Sequence, residues 1–280
     1  MSSNTSAARV RYEVDGPIAT ITMDRDHKLN AIDDAMICGL LEALRDAEAD
    51  PSVRAIILAG EGRAFSAGFD LSETYQPQAG EDAVSAEIQR DFAFIMRFWD
   101  AEKPVIAAVQ GACLGGSFEL MLACDLCVAA EDSRFGEPEV TFGSGVVAML
   151  LPWFCGPRRA AELLLRGEQR FDARRAENWG LVNRVVPSDQ LHSAARALAM
   201  DVARNDAHAV HHARLALKDG YDKAGFREAM AEGVRHCITV EREPSAETSE
   251  FHRRLQTDGL AAALEWRDKH ITKTAAEEEP

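Results

Sequence analysis

Two glutamates stand where a carboxyl could meet a bound substrate. Glu119 lies in Gly111-Ala112-Cys113-Leu114-Gly115-Gly116-Ser117-Phe118-Glu119-Leu120, a glycine-rich run that follows an all-apolar stretch and opens a helix. The first amides of a helix have no intrahelical acceptor, and with the helix dipole they favour negative charge. Consecutive glycines let a ligand approach the backbone closely. Three residues past Gly116, the Glu119 side chain leans back toward the same helix end. The run supports two readings equally. One is an anion-binding helix start with a carboxyl beside it; the other is a capping arrangement with Glu119 at the third helical position. Glu139 follows Gly136 and Pro138 on a stiff loop, and by itself reads as a solvated carboxylate. A third segment is Arg63-Ala64-Phe65-Ser66-Ala67-Gly68-Phe69-Asp70-Leu71. It follows a buried strand, where α/β proteins place ligands, and Gly68 permits a turn that exposes adjacent amides. By itself it reads as a strand-to-helix turn with Asp70 as a helix cap.

The elements that must hold these segments alternate along the chain. Residues 9–14 and 18–23 flank Asp15-Gly16-Pro17 and predict a hairpin. Asp33 caps a helix to about Ala49, with Met36, Leu40, Leu41 and Leu44 at helical spacing. Residues 53–59 predict a buried strand, followed by a loop over 60–68. A helix over 83–99, an all-apolar strand over 104–109, a helix from Gly116 and a strand over 125–129 follow. Such alternation with short loops predicts an α/β domain with mostly parallel strands. From about Ser188 the pattern turns helical, over 190–203, 207–218, 226–240 and 260–270, with no further strand. The reading is a core over residues 1–200 and a helical region over 201–280 that serves assembly, with a fraying tail from Thr274.

Taken together, the segments resemble the crotonase family of enoyl-CoA hydratases and isomerases. The family pattern has an SAGxD-type loop, a strand followed by GxxLGGxxEL, then CD, then FGxPE. Here these are residues 66–70, 111–120, Cys124-Asp125 and 135–139. Leu29-Asn30-Ala31, Lys103-Pro104-Val105-Ile106-Ala107-Ala108-Val109, the stretch 176–182 and Val185-Val186-Pro187 add to the likeness, which spans roughly Val10 to the C-terminus. The resemblance implies a crotonase-like spiral core of ββα turns and helices that build a homo-trimer or hexamer. It implies coenzyme A thioester substrates and an oxyanion site made by the amides of Phe69 and Gly116. It implies catalytic roles for Glu119 and Glu139, the two glutamates with which family hydratases hold and split a water. Ala67 matches the adenine-contacting position, and His27 and Lys28 match basic positions near the CoA phosphates. Gly68, Asp70, Gly115, Val146 and Val147 complete the implied substrate-binding set. One departure concerns the family's GxxPGxGG stretch. Val146 and Val147 stand in place of Pro and Gly, and with the Phe69 ring they imply a narrowed or redirected acyl pocket.

Bulk properties narrow the field. A net charge of -15, from 46 acidic and 31 basic residues, repels phosphate backbones and anionic membranes. No apolar run reaches the length of a membrane span, and the first nine residues lack the apolar core of a secretory signal, so the expected location is cytoplasmic. Six cysteines, mostly in apolar surroundings, read as reduced core residues; Cys124 and Cys127 form a CxxC without the second pair a zinc site needs. No HExxH, strand-linked GxGxxG or P-loop motif occurs, so neither a metal nor a cofactor beyond the substrate's own CoA is expected. His208, His211 and His212 read as a solvated or partly packed helix face. Arg158-Arg159 and Arg174-Arg175 read as surface charges. The expected activity is reversible hydration of a 2-enoyl-CoA. The alternatives are another crotonase reaction, such as isomerisation, C–C hydrolysis or decarboxylation, and a non-catalytic acyl-CoA binder.

Overall fold

The computed structural model describes residues 9–71 and 81–277. The first eight residues, read above as lacking a secretory signal, and the last three, read as frayed, lie outside the described residues.

The hairpin forms as β1 (Val10–Asp15) and β2 (Ile18–Met23), antiparallel about a turn in which Gly16 takes a left-handed φ of 60°. Asp33 Oδ1 accepts from Met36 N (2.9 Å) and caps α1 (Asp34–Ala49). Then come β3 (Ala55–Gly60), α2 (Glu81–Trp99), β4 (Val105–Val109), β5 (Ala112–Leu114), α3 (Gly116–Ala123), β6 (Leu126–Ala130) and β7 (Arg134–Gly136). The short α4 (Glu139–Phe142), α5 (Leu151–Cys155) and α6 (Pro157–Arg166) lead to β8 (Phe171–Asp172), α7 (Ala173–Asn178) and β9 (Arg184–Val186). The chain ends in α8 (Leu191–Ala203), α9 (Ala207–Lys223), α10 (Phe226–Arg242), α11 (Ala246–Asp258) and α12 (Leu260–Glu277). Its last helix therefore continues past Thr274, where the polar composition had predicted fraying.

Six strands form one sheet in the order β1-β2-β3-β4-β6-β9, parallel apart from the β1–β2 pair. A smaller sheet, β5-β7-β8, stands beside it. Residues in β3 and β4 are buried along their whole length because both faces of the large sheet are covered. Ile56, Leu58, Val105 and Ala107 join the main core with α1, α2 and α3. Ile57, Ala59, Ile106 and Ala108 face the other way, against Leu191, Ala195, Leu198 and Ala199 of α8. Side chains alternate along a strand, so a continuous apolar run serves both layers.

Four strands of two or three residues, β5, β7, β8 and β9, and the helix α11 were not legible in the sequence. The strands are too short to carry a period. Apart from Thr248 and Phe251 the residues of α11 are not buried; a Ser245 cap, whose Oγ accepts from Thr248 N (3.0 Å), starts it. Five of the six free cysteines are buried, and Cys38 is exposed.

Candidate active site

The loop after β3 and the segment between β5 and α3 run side by side. Ser66 N donates to Ala112 O (3.0 Å), and Leu114 N donates to Ser66 O (3.2 Å). On the other side, Ile32 N donates to Gly68 O and Asp70 N donates to Ile32 O, both at 2.9 Å. Ile32 thus takes up the backbone groups flanking Phe69. In an extended chain the intervening amide points the opposite way, so Phe69 N turns from Ile32 toward the neighbouring cavity. Among the described residues no backbone carbonyl receives Phe69 N or Gly116 N, the first amide of α3.

Glycine is required where these segments meet. A Cβ on Gly68 would stand 2.7 Å from Leu114 O and 3.5 Å from Gly116 N. Gly115 has φ 54° and ψ -132°, a backbone state open to glycine alone, and a Cβ there would run into Glu139 Oε1. The Glu139 carboxyl therefore lies directly over the backbone that presents Gly116 N. A Cβ on Gly116 would strike the Phe69 ring, so that ring roofs the helix start.

Ala67, Gly68, Phe69, Gly115, Gly116 and Glu139 line one cavity of about 620 Å³, together with Val147. Its far wall comes from α2, with Val84, Glu87, Ile88 and Asp91, and from α10, with Cys237 and Glu241. Gly145 N donates to Glu241 Oε1 (3.3 Å).

Glu119 is placed differently from Glu139. It is 1% exposed and absent from the cavity wall. Its Oε1 accepts from Val147 N (3.0 Å) and its Oε2 from Ala148 N (2.9 Å). Burial first, then the charge of Glu139, push its pKa well above the usual carboxylate range, and the two amides oppose the rise. Glu139 is half-buried, with its Oε2 sealed from solvent; burial lifts its pKa to about 7. Burial also lifts Glu87 to about 7 and Asp91 to about 6.

Four positions named from the sequence lie elsewhere. Asp70 accepts from Arg25 Nη1 (2.6 Å) in a buried ion pair and lines a separate cavity of about 430 Å³ with Asp33, Asp34 and Arg90. It directly precedes a helical residue, Leu71, and stays off the wall of the larger cavity because Arg25 holds it from the opposite side of the loop. Val146 is buried, so Val147 alone of the two valines reaches the cavity wall. His27 and Lys28 are exposed on a single 3-10 turn; the residues that follow, Leu29 and Asn30, tie the turn to the loop, with Ala67 N donating to Leu29 O (2.9 Å) and Ser66 Oγ to Asn30 O (2.8 Å). Arg174 and Arg175 engage Glu177, Glu168 and Glu162 instead of a cavity. Among the described residues no cluster of metal-ligating side chains occurs.

Sequence reasoning left Asn30 without a role. It is fully buried at φ 54°, donates to Ala64 O (2.8 Å) and Glu61 O (2.9 Å), and accepts from Arg25 N (2.8 Å). A buried side-chain amide that supplies the bonding of an irregular loop fixes that loop's path. Glu87, Asp91, Cys237 and Glu241 were also unassigned; they meet the site only through the packing of α2 and α10, and no local signal marks them.

Comparison with known proteins identifies the family and the fold. A family profile described as enoyl-CoA hydratase/isomerase matches residues 13–257. A probable enoyl-CoA hydratase of Mycobacterium tuberculosis is 34% identical over 272 residues, covering 94% of this chain and 97% of the relative. A carnitinyl-CoA dehydratase of Salmonella enteritidis is 38% identical over 226 residues, 79% of this chain and 82% of that one. The crystal structure of an enoyl-CoA hydratase/isomerase from Xanthobacter autotrophicus superposes with a TM-score of 0.90 at 41% identity, over 94% of this chain and 98% of its own. With its parallel sheet, paired glycine loops and helical C-terminal region, this chain has the crotonase fold and belongs to the enoyl-CoA hydratase/isomerase family.

Proposed function

We propose that the protein is an enoyl-CoA hydratase that adds water reversibly across the double bond of a 2-enoyl-CoA. The observation that carries this reading is the Glu139 carboxyl over Gly115, beside two unengaged amides and backed by Glu119. Attack at the β-carbon drives negative charge onto the thioester oxygen. Phe69 N and Gly116 N meet that charge without reorganising, and one such donor is worth about 2.7–4 kcal/mol in an acyl-transfer enzyme.

Two carboxylates this close in a buried site cannot both ionise at neutral pH, so the pair holds a proton. In this reading the Val147 and Ala148 amides favour the charged form of Glu119 against the burial that raises its pKa, and the shared proton rests on Glu139 when the substrate binds. Glu119 takes a proton from water as the hydroxyl adds to the β-carbon, and the enolate then takes its α-proton from Glu139. Transfer of the water proton from Glu119 to Glu139 resets the site.

The acyl wall mixes Val84, Ile88 and Cys237 with Glu87, Asp91 and Glu241, which supports an acyl group bearing a polar, hydrogen-bonding substituent. Assays with crotonyl-CoA, longer enoyl-CoAs and carnitinyl-CoA, with product identification, test the reading. Full activity in a Glu119→Gln, Glu139→Gln double variant would overturn it.

A second reading rests on one observation: Glu119 is sealed while Val147 occupies the wall. Glu139 alone would then shuttle a proton between carbons, as in double-bond isomerisation. A 3-enoyl-CoA converted to its 2-isomer, with no hydration of simple enoyl-CoAs, would favour it.

We further propose a cytoplasmic homo-trimer or hexamer. Exposed Leu215, Leu217, Val240 and Leu260 on the C-terminal helices support assembly. Light scattering that returns a monomer would refute it. Among the described residues no helix is long and apolar enough to cross a membrane.

A further inference from the structure

Beside Glu139 lies a third carboxyl that the family pattern leaves as a free position. Glu137 is 1% exposed, between Gly136 and Pro138. Its backbone is clamped: Glu137 N donates to Glu168 O (3.1 Å), and Gly136 O accepts from Gly115 N (2.9 Å). A side chain at Gly136 would collide with Gln169 O, so the strand end has no room to shift. The Oε2 atoms of Glu137 and Glu139 are both sealed from solvent, and neither finds a donor among the described residues. The two carboxyls meet each other within hydrogen-bonding reach. Carboxylates only accept hydrogen bonds, so this contact requires a proton between them.

Among the described residues the surroundings supply no cation to replace that proton. The ionisable groups bearing on Glu137 are Glu139 and Glu119, with the buried Cys113 thiol nearby. Glu168 offers its backbone carbonyl, while its carboxylate turns to Arg175 and Arg166. From the C-terminal helices, His252 and Arg267 reach the carbonyls of Phe142 and Thr141 at the far end of α4.

We propose that Glu137 is a positioning residue of this site: it stays a neutral carboxylic acid and donates a hydrogen bond to Glu139, which strengthens Glu139 as an acid. Burial beside Glu119 makes Glu139 reluctant to ionise. A donor aimed at its carboxylate stabilises the form left after the α-proton is delivered. When the proton returns to Glu139, Glu137 keeps its own, so the cycle consumes none. This proposal rests on the acid role proposed for Glu139.

The test is the pH profile of kcat/KM on the best substrate of the acyl-CoA panel. Glu137→Met keeps the size but loses the donor. Its alkaline limb, which reports Glu139, is expected to rise by about one unit. Glu137→Gln keeps an N–H donor and is expected to hold the limb near that of the parent. A Glu137→Met limb that coincides with the parent's, or equal shifts in both variants, would overturn the proposal. Infrared difference spectra at neutral pH give a readout that needs no turnover. Glu137→Gln is expected to lose a protonated-carboxyl band, and loss of an ionised-carboxylate band instead would overturn the proposal even if Glu137→Met failed to fold. Glu139→Gln separates the two levels. Full activity there ends the acid role of Glu139, whereas an inactive Glu139→Gln with an unmoved Glu137→Met limb ends only the role of Glu137.

Discussion

Replacing Gly115 by alanine tests the site at its tightest point. Gly115 sits at φ 54°, ψ -132°, and a methyl group there would strike Glu139 Oε1. Two costs follow, and they can be separated. The backbone state is nearly closed to any side chain, which costs about 1–3 kcal/mol. At roughly 2–4 °C per kcal/mol for a chain of this size, the midpoint of thermal unfolding should fall by about 2–12 °C. The second cost is catalytic. Either Glu139 swings away from Gly116 N or the loop backs off, and a displacement of about 1 Å at reacting groups costs on the order of 10²-fold in rate. Gly156 provides the control: it has φ 80° and ψ 164°, yet a Cβ there meets nothing within 4 Å. Gly156→Ala should lose stability with unchanged turnover, whereas Gly115→Ala should lose both. The assays are differential scanning calorimetry and initial rates on the best acyl-CoA of the panel. A Gly115→Ala enzyme with the parent's kcat would refute the placement of Glu139 over this glycine.

Other outcomes follow from the same geometry. Arg25→Met should remove the guanidinium that Asp70 and Asp33 share at 2.6 and 3.3 Å in a buried setting, while Asp33 keeps Arg9 and the Met36 amide, and should cost about 3–5 kcal/mol in urea unfolding; a loss below about 1 kcal/mol would mean that the pair is not closed in solution. Glu139 has its folded-state pKa raised from 4.5 to about 7, so its stabilising contribution is complete below the unfolded value and is lost as pH rises through the folded one. Glu139→Gln should therefore gain stability over the parent at pH 8 more than at pH 5, and a difference independent of pH would contradict the raised value. Val147→Gly should open the wall over Glu119, raise hydration relative to any isomerisation and broaden acyl acceptance, as read from product ratios; an unchanged ratio would show that the valine does not gate Glu119.

Much of this protein is written locally. The apolar runs over β3 and β4, the helical spacing of Met36, Leu40 and Leu44, and the Asp33 cap are properties of short windows, so strands and helices followed from them with ends displaced by one or two residues. The glycines at 68, 115 and 116 also spoke locally, since a chain needs glycine wherever backbones touch or φ turns positive. Other features existed only after folding. Asp70 marks a helix start on paper, and only folding brings Arg25, 45 residues earlier, to its carboxylate. Val146 and Val147 are equivalent on paper, and only packing buries one and brings the other to the cavity. Cys237 and Glu241 reach the acyl wall because α10 packs back on α2. Composition announced the carboxyls of Glu119, Glu137 and Glu139, but not their protonation. That depends on burial, on the amides of Val147 and Ala148, and on like charges gathered from separate elements. Residue type names the group that can ionise, and the surrounding tertiary structure decides whether it does.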